Sequence, residues 1–195
     1  MIDSDWYLEM ADPSRTAQAF YNDTFLTDQN ACTSPRIIIW LGEQRREAKQ
    51  VFWTSLHELT QNRYELQPVQ GVDKLVKNCL LAAAQEGVRL QWEPDCLIYR
   101  ALVPVLTKEL LDFTGHSGFF LEYDCEDILE LRDLCSDPRC QTVAYLGEKG
   151  ILLPLLQLGG KGIDRIVPVG KTLDFDLIWD GYNLYERLTR TIQTE

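Results

Sequence analysis

The segment 29–36 places a cysteine among polar residues directly before an apolar run. Cys32 lies between Asn30 and Ser34, so hydrogen-bonding side chains flank the thiol on both sides. A thiolate is the strongest common protein nucleophile and suits attack on a thioester or an aldehyde, and a backbone N–H in such a turn can bind the resulting oxyanion. Arg36 can stabilise the thiolate form. The pattern predicts a reactive Cys32 supported by Gln29, Asn30, Ser34 and Arg36, although an ordinary buried thiol in a capping turn is the alternative.

Other residues in the chain offer weaker chemistry. His116, in T-G-H-S-G, could line a pocket and aid proton transfer, or could lie on a surface loop. Glu9 could act as a base for thioester hydrolysis or serve as a capping carboxylate. His57, within a predicted helix, is expected to be structural. The basic residues Lys161, Arg165 and Lys171 could contact an anionic ligand or be ordinary surface charge.

Two clusters have a superficial likeness to metal sites. The acidic group comprises Glu122, Asp124, Glu126 and Asp127, and negative charge at the start of a helix explains it without a cation. Cys135 and Cys140, with Cys125 upstream, could in principle hold zinc, but C-x-x-C pairs are absent. Small buried thiols are the alternative interpretation. We predict no metal site.

The charge balance excludes several function classes. The chain has 195 residues, of which 19 are Lys or Arg and 30 are Asp or Glu, for a net charge of −11. Nucleic-acid binding and attachment to anionic membranes both need clustered basic residues, so neither is expected. The start has no signal-peptide pattern, and the longest apolar stretches, 79–84 and 151–156, are too short to span a membrane. We expect a cytoplasmic location with reduced thiols.

Apolar strands alternate with amphipathic helices around the cysteine loop. Short apolar runs predict strands at 36–41, 88–92, 96–103, 118–123, 141–146 and 163–169. Helical periodicity predicts helices at 13–22, 43–59, 72–86, 125–135, 148–158 and 182–193. The strand at 36–41 is apolar on both faces, as in a sheet covered on both sides. The sequence therefore predicts an α/β domain with a mainly parallel sheet flanked by helices.

Local signals mark the ends of several of these helices. Asp12 and Pro13 predict an N-cap followed by the first helical residue. Asp124 is predicted to cap the helix at 125–135, with Asp127 at the N3 position of a capping box. The segment 66–71 is predicted to be a connector because it holds Pro68 and Gly71. In the helix that follows, one face carries the apolar residues Val72, Leu75, Val76, Cys79, Leu80 and Ala83.

The segment 28–40, D-Q-N-A-C-T-S-P-R-I-I-I-W, resembles the nucleophile loop of the aldehyde dehydrogenase superfamily. That loop has a Gln near the catalytic Cys, then an Arg, a strand and a helix. More closely, it is similar to the fatty acyl-CoA reductases of bacterial bioluminescence and their non-luminous relatives. The segments 162–175 (G-I-D-R-I-V-P-V-G-K-T-L-D-F) and 178–182 (I-W-D-G-Y) resemble the closing part of those reductases. With 118–146, which resembles a late unit of the catalytic domain, the resemblance covers nearly the whole chain.

This resemblance implies the aldehyde dehydrogenase catalytic fold and a reaction in two stages. Cys32 would attack a long-chain acyl thioester, carried on CoA or on a protein, and its backbone N–H would help hold the oxyanion. NADPH would then reduce the acyl-enzyme to an aldehyde. Assembly through the edges of the catalytic domain implies an oligomer.

Reductases of this type carry a nucleotide-binding domain before the cysteine loop, whereas 31 residues precede Cys32 here. No Gly-rich phosphate loop follows a strand near the start, and the Gly-rich segment 159–162 follows a helix instead. We therefore expect residues 1–195 to form a single catalytic domain, with 170–195 as a C-terminal extension. NADPH would be bound mainly by a nucleotide-binding half that this chain lacks.

Two other functions remain open at this stage. One is a non-catalytic remnant or interaction module that keeps the fold. A catalytic half without its partner domain is expected to expose an apolar patch where that domain packs. The other is a Cys-dependent thioesterase, which needs a positioned base that the sequence does not identify.

Overall fold

The computed structural model describes residues 1–157, 159 and 161–193. Leu158, the last residue of the helix predicted at 148–158, and Gly160, in the predicted Gly-rich turn, lie outside the described residues. The strands are β1 (Ile2–Asp3), β2 (Ile37–Leu41), β3 (Arg89–Trp92), β4 (Tyr99–Leu102), β5 (Phe119–Asp124), β6 (Gln141–Tyr145), β7 (Ile163–Pro168), β8 (Ile178–Trp179) and β9 (Tyr182–Asn183). The α-helices are α1 (Ser4–Met10), α2 (Pro13–Thr24), α3 (Arg45–Arg63), α4 (Pro68–Ala84), α5 (Arg132–Cys135), α6 (Leu153–Gln157) and α7 (Leu184–Leu188). Short 3-10 helices occupy Phe25–Thr27, Lys108–Phe113, Ile128–Leu131, Pro138–Cys140 and Lys149–Leu152.

The central sheet is mainly parallel, as predicted. Its order is β1-β2-β5-β4-β3, and its pairings are parallel except for the antiparallel pair β3 and β4. A second parallel pair, β6 and β7, joins the sheet through the residue pair Ile2 and Leu146. Two backbone hydrogen bonds of 2.9 Å, from Asp3 to Leu146 and from Leu146 to Met1, hold this junction.

Helices cover both faces of the sheet, because the side chains of β2 alternate between two apolar cores. Ile38 and Trp40 pack with Phe52 and Phe20 under α1, α2 and α3. On the opposite face, Ile39 and Leu41 pack against α5 and α6, and the same face of β4 and β5 is covered by α4. The predicted fold class, an α/β domain with a mainly parallel sheet flanked by helices, is confirmed.

Of the two helix N-caps predicted from the sequence, Asp12 is confirmed and Asp124 is not. The carboxylate of Asp12 accepts a hydrogen bond from the N–H of Arg15 at 3.0 Å, so the predicted cap of α2 is confirmed. The predicted cap at Asp124 is wrong, because Asp124 still belongs to β5. Asp127 is itself the cap, and its capping box with Glu130 starts a 3-10 helix that leads into α5.

Helix α4 begins at Pro68, inside the segment predicted to be a connector. Gln67 and Gln70 form a reciprocal capping box there, and proline is favoured in the first turn because it has no N–H to satisfy. The buried face of α4 consists of Lys74, Asn78 and Leu81. Its apolar face is exposed, and the side chains concerned are Val69, Val72, Leu75, Val76 and Leu80.

The C-terminal part differs most from the predicted elements. The helix expected at 182–193 is confirmed only for Leu184–Leu188. Before it, Asp180 and Gly181 have φ of +48° and +76° and join β8 to β9 as a hairpin, and the helix ends before Thr189. The side chain of Asn183 then caps the short helix α7. Farther upstream, Asp3 caps α1 by accepting from the N–H of Trp6 at 3.1 Å, in a helix the sequence patterns did not indicate.

Candidate active site

The loop around Cys32 connects the 3-10 helix Phe25–Thr27 to β2 and leaves the Cys32 side chain exposed. Backbone hydrogen bonds fold it, from Asn30 to Thr27 at 2.9 Å and from Ser34 to Ala31 at 3.0 Å. Within the described part of the chain, the N–H groups of Cys32 and Thr33 donate no hydrogen bond. Neither N–H group is therefore committed to another backbone acceptor of the loop.

Gln29 fastens this loop to the start of β5, ninety residues later in the chain. The side chain is fully buried, and its Nε2 donates to the carbonyls of Pro35 at 2.8 Å and Phe119 at 3.0 Å. Its Oε1 accepts from the N–H groups of Gly118 at 3.1 Å and Phe119 at 3.2 Å. Because both ends of the amide are used, Gln29 supports the loop and does not face a substrate.

Arg36 and His116 both reach the backbone of this loop. The guanidinium of Arg36 donates to the carbonyls of Gln29 at 3.3 Å and Ala31 at 3.4 Å. Burial lowers the pKa of Arg36, and a charge on Cys32 opposes that shift. The Nδ1 of His116 lies 3.1 Å from the Gln29 carbonyl. Since a carbonyl only accepts, Nδ1 carries the proton, and Nε2 is the acceptor when the ring is neutral.

The other two predicted loop residues differ in burial. Ser34 is buried, and its hydroxyl lies 3.5 Å from that of Thr27. Asn30 is exposed and holds the loop through its backbone N–H. The structure thus brings Gln29, Ser34, Arg36 and His116 together around the turn that carries Cys32.

A cleft of about 350 Å³ runs beside Cys32. Its walls are mostly apolar and come from β2, α5, β6 and the segment before α5; they include Ile37, Ile39, Leu131, Leu134, Val143 and Ala144. Cys135 and Cys140 also line it. A cleft of this size and character suits a small or chain-like apolar ligand.

A larger and strongly charged cleft of about 830 Å³ lies near the carboxyl ends of β4 and β5. At its base, Glu122 is 2% exposed and accepts from the indole N–H of Trp40 at 2.7 Å and of Trp53 at 3.0 Å. Asp124 pairs with Lys49, and Glu126 pairs with Arg45. The acidic cluster seen in the sequence is thus a set of partnered carboxylates.

Five further candidates lie away from the cysteine loop or serve the fold. His57 contacts Asp95 through its Nε2 at 2.7 Å, and Glu9 is exposed near the end of α1. Arg165 donates to the carbonyls of Thr172 at 3.1 Å and Asp174 at 2.9 Å, which fixes the chain after β7. Lys171 pairs with Asp174 at 2.7 Å, while Lys161 is exposed.

The turn from β2 into α3 offers no free position for a pyrophosphate. The turn from β2 into α3 is where an α/β fold would place a pyrophosphate. There, the carboxylate of Asp5 accepts from the N–H groups of Glu43 and Gln44, each at 3.0 Å. A carboxylate of the protein itself therefore fills the anion position. In the Gly-rich segment, a Cβ on Gly162 would collide with the Asp137 carbonyl, so this glycine packs on backbone rather than facing a ligand.

The described residues lack two features of other function classes. No group of three or more His, Cys, Asp or Glu side chains is arranged to hold a metal ion within them. Among the same residues, no helix is both long and apolar enough to cross a bilayer.

Among the comparisons with known proteins, the one with solved structures shows a similarity of fold. No protein-family model matches the chain, and no curated protein matches its sequence. Among solved structures, it is similar to a NAD-dependent benzaldehyde dehydrogenase from Corynebacterium glutamicum, with a TM-score of 0.53 and 16% identity. The match covers 87% of this chain and 38% of that chain. The chain therefore has a fold like part of an aldehyde dehydrogenase and spans less than half the length of that enzyme.

Sequence reasoning missed one residue that supports the site from a distance. Lys74 of α4 is fully buried, and its ammonium donates to the carbonyls of Cys96 at 2.6 Å, Leu97 at 3.0 Å and Ser117 at 2.7 Å. Burial lowers the pKa of Lys74 to about 8. Ser117 in turn donates its N–H to the Asp28 carbonyl at 2.9 Å, beside Gln29. A lysine within a helical pattern gives no sequence signal of such a role.

Proposed function

We propose that this chain is the acyl-accepting catalytic domain of an acyl thioester reductase, with Cys32 as the nucleophile. The observation that carries the proposal is the exposed thiol of Cys32 beside a mostly apolar cleft, in a loop fastened by Gln29. A fold like part of an aldehyde dehydrogenase supports the same class of chemistry. Long-chain acyl thioesters, on CoA or on a protein, are the proposed substrates.

The first stage is an acyl transfer that this chain's own residues can carry out. The Cys32 thiolate adds to the thioester carbonyl, and the N–H groups of Cys32 and Thr33 donate to the oxygen as it becomes negative. When the carbonyl re-forms, the bond to the leaving sulfur breaks and a free thiolate departs. Cys32 retains the acyl group as a new thioester, and the acyl chain lies against the apolar walls of the cleft.

The second stage needs a reductant that the described residues do not hold. A bound NADPH would supply the hydride, and we propose that a nucleotide-binding half outside this chain holds it. In this proposal residues 1–195 are one catalytic domain with a C-terminal extension from 170, and the assembled protein is an oligomer in the cytoplasm. His116 is not among the residues that line the cleft, and its proposed role is to fix the backbone of the cysteine loop through the Gln29 carbonyl.

Mass spectrometry after incubation with palmitoyl-CoA tests the acyl transfer. We expect one palmitoyl group on the tryptic peptide 16–36, which holds Cys32, and none in a Cys32→Ser variant. Cys79→Ser is the matched control, because Cys79 is also an exposed thiol and lies on α4. This control should acylate like the wild type. Equal labelling of Cys32 and Cys79 in the wild type, or no adduct at all, contradicts the proposal.

The exposed apolar face of α4 favours a second candidate, a non-catalytic interaction module. Val69, Val72 and Leu80 are each more than half exposed, which is unusual for a folded domain that has no partner. Such a module requires no acylation of Cys32. An absent palmitoyl adduct together with a folded protein would therefore favour this candidate over the reductase.

A further inference from the structure

Cys135 and Cys140 meet side chain to side chain on the wall of the apolar cleft. Their sulfur atoms lie 3.9 Å apart. Cys135 ends α5 and is 3% exposed, while Cys140 ends the 3-10 helix Pro138–Cys140 and is half-buried. Both line the same cleft of about 350 Å³ as Cys32. A small solute that enters the cleft can therefore reach this pair.

The chain between the two cysteines is a tight turn that holds them in place. Asp137 donates its N–H to the Leu134 carbonyl at 3.1 Å, and Cys140 donates to Asp137 at 2.9 Å. The N–H of Gly162 adds a bond to the Cys135 carbonyl at 3.1 Å, which ties α5 to the start of β7. A disulfide requires a sulfur separation of about 2.05 Å. Bond formation therefore requires the two sulfur atoms, now 3.9 Å apart, to approach by about 1.9 Å.

The two thiols differ in acidity, and the difference sets their order of reaction. The S–H of Cys135 stabilises a thiolate on Cys140, which lowers the pKa of Cys140. The same contact, with burial, raises the pKa of Cys135. Because the thiolate is the reactive form, Cys140 attacks first and Cys135 follows as the resolving thiol.

We propose that Cys135 and Cys140 form a hydroperoxide-sensitive thiol pair that closes to a reversible disulfide. The Cys140 thiolate attacks one peroxide oxygen and breaks the O–O bond, which gives a sulfenic acid and, with hydrogen peroxide, hydroxide. The Cys135 sulfur then attacks the Cys140 sulfur and releases water as its proton is lost. Overall, two thiols lose two electrons and two protons, and one hydrogen peroxide becomes two water molecules.

This inference does not rest on the proposed function, because it needs no reaction at Cys32. The disulfide would join the end of α5 to the residue before β6. The cleft would then have two states, one lined by two free thiols and one lined by the disulfide. Cys125 is the buried comparison thiol in the same part of the chain. Its pKa is raised to about 12 by burial and by the nearby Glu130, and its thiol donates to the Asp127 carbonyl at 3.0 Å.

Peptide mapping under native conditions tests the pair directly, because trypsin separates all six cysteines into different peptides. Cleavage after Arg139 divides Cys135, in 133–139, from Cys140, in 140–149. The reduced protein is treated with equimolar hydrogen peroxide, alkylated and digested. We expect 133–139 linked to 140–149 as the main disulfide product, reversed by dithiothreitol. Cys125 should remain a free thiol that is alkylated only once the protein is unfolded, since its deprotonation in the folded protein is suppressed.

A Cys32→Ser/Cys79→Ser variant, which removes both exposed thiols, should form the same linked peptide at the same rate. Cys140→Ser should leave Cys135 as a free thiol. A disulfide that forms only in urea, links through Cys32, or is replaced by sulfinic acid on Cys140 would overturn the proposal. Because the wild type and the variant without exposed thiols both give a result, the test does not depend on Cys140→Ser folding. Acylation of Cys32 is measured separately, so the two proposals can fail independently.

Discussion

A single buried amide, that of Gln29, joins the cysteine loop to the first residues of β5. Its side chain makes four hydrogen bonds to backbone groups. Because this side chain is fully buried, water does not substitute for it as a partner of those groups. Buried donors and acceptors that lose a partner cost about 1–3 kcal/mol each. At this position the residue type matters more for the geometry of the loop than for contact with a ligand.

We expect Gln29→Ala to lower the free energy of unfolding by about 4 kcal/mol or more, because it leaves two N–H and two carbonyl groups unpaired. The rate of Cys32 alkylation by iodoacetamide should change as the loop relaxes. Urea denaturation measures the first effect. Asn30→Ala is the matched control, since Asn30 is exposed, and it should stay within about 0.5 kcal/mol of the wild type. Equal effects of the two variants would contradict the assigned role of Gln29.

The lowered pKa of Lys74 makes the free energy of unfolding increase with pH. Its pKa in the folded protein is about 8, below its ordinary 10.5, because burial disfavours the charged ammonium. Between these values the unfolded chain binds more protons than the folded chain, so the Lys74 contribution to stability increases as pH rises. The difference corresponds to about 3 kcal/mol over the whole interval.

The comparison between wild type and Lys74→Met isolates this effect. From pH 7.5 to 10 the difference in free energy of unfolding should shift in favour of the wild type, by on the order of 2–3 kcal/mol. Lys77→Met, one turn along α4, is the control and should show a constant difference. Chemical denaturation across this range measures both variants, and a constant difference for Lys74→Met as well would rule out the lowered pKa.

At the scale of elements, two glycines differ in whether the structure requires them. Gly118 lies just before β5 with φ of +88°, and a Cβ there would collide with the Leu97 carbonyl. Gly71 lies in the first turn of α4, where the nearest atom to a new Cβ is a Leu66 methyl at 3.8 Å. The first glycine is required by its conformation and by close packing, while the second only adds flexibility to a helix.

Gly118→Ala should therefore be strongly destabilising, by about 3 kcal/mol or more, through backbone strain and collision. Gly71→Ala should stabilise by about 0.5–1 kcal/mol, because alanine has the better helix propensity. Thermal unfolding followed by circular dichroism compares the two variants. A stabilised Gly118→Ala variant would show that the turn before β5 can rearrange.

The elements that the sequence predicts well are those whose signals are local. The run at 37–41, the Asp12 cap and the order of loop residues around Cys32 all depend on neighbours within a few positions. The contacts of Gln29, His116 and Lys74 depend on segments 22 to 90 residues away, and no local pattern specifies them. Periodicity likewise identified an apolar face on α4 but could not say whether anything covers it.

At the scale of the whole molecule, the exposed apolar face of α4 is unusual for a folded domain. Replacing Val72 with Glu and Val76 with Lys introduces a favourable charge pair four residues apart, without changing the net charge. We expect less self-association in sedimentation velocity and a free energy of unfolding within about 0.5 kcal/mol of the wild type.

Gln50→Glu with Thr54→Lys places the same charge pair on exposed positions of α3 and serves as the control. It should leave self-association as in the wild type. If the wild-type chain sediments as a monomer at high concentration, the face of α4 does not drive association.

The contact between Gln29 and Phe119 has a consequence for the newly made protein. The two residues are 90 positions apart, and at about 5–20 residues per second the ribosome takes about 5–20 s to add that much chain. During this interval the segment that carries Cys32 has no β5 to pack against, so its thiol is an ordinary flexible cysteine. The arrangement around Cys32 therefore forms only after more than half of the chain has been synthesised, and a nascent chain stalled before Phe119 should alkylate like an unfolded peptide.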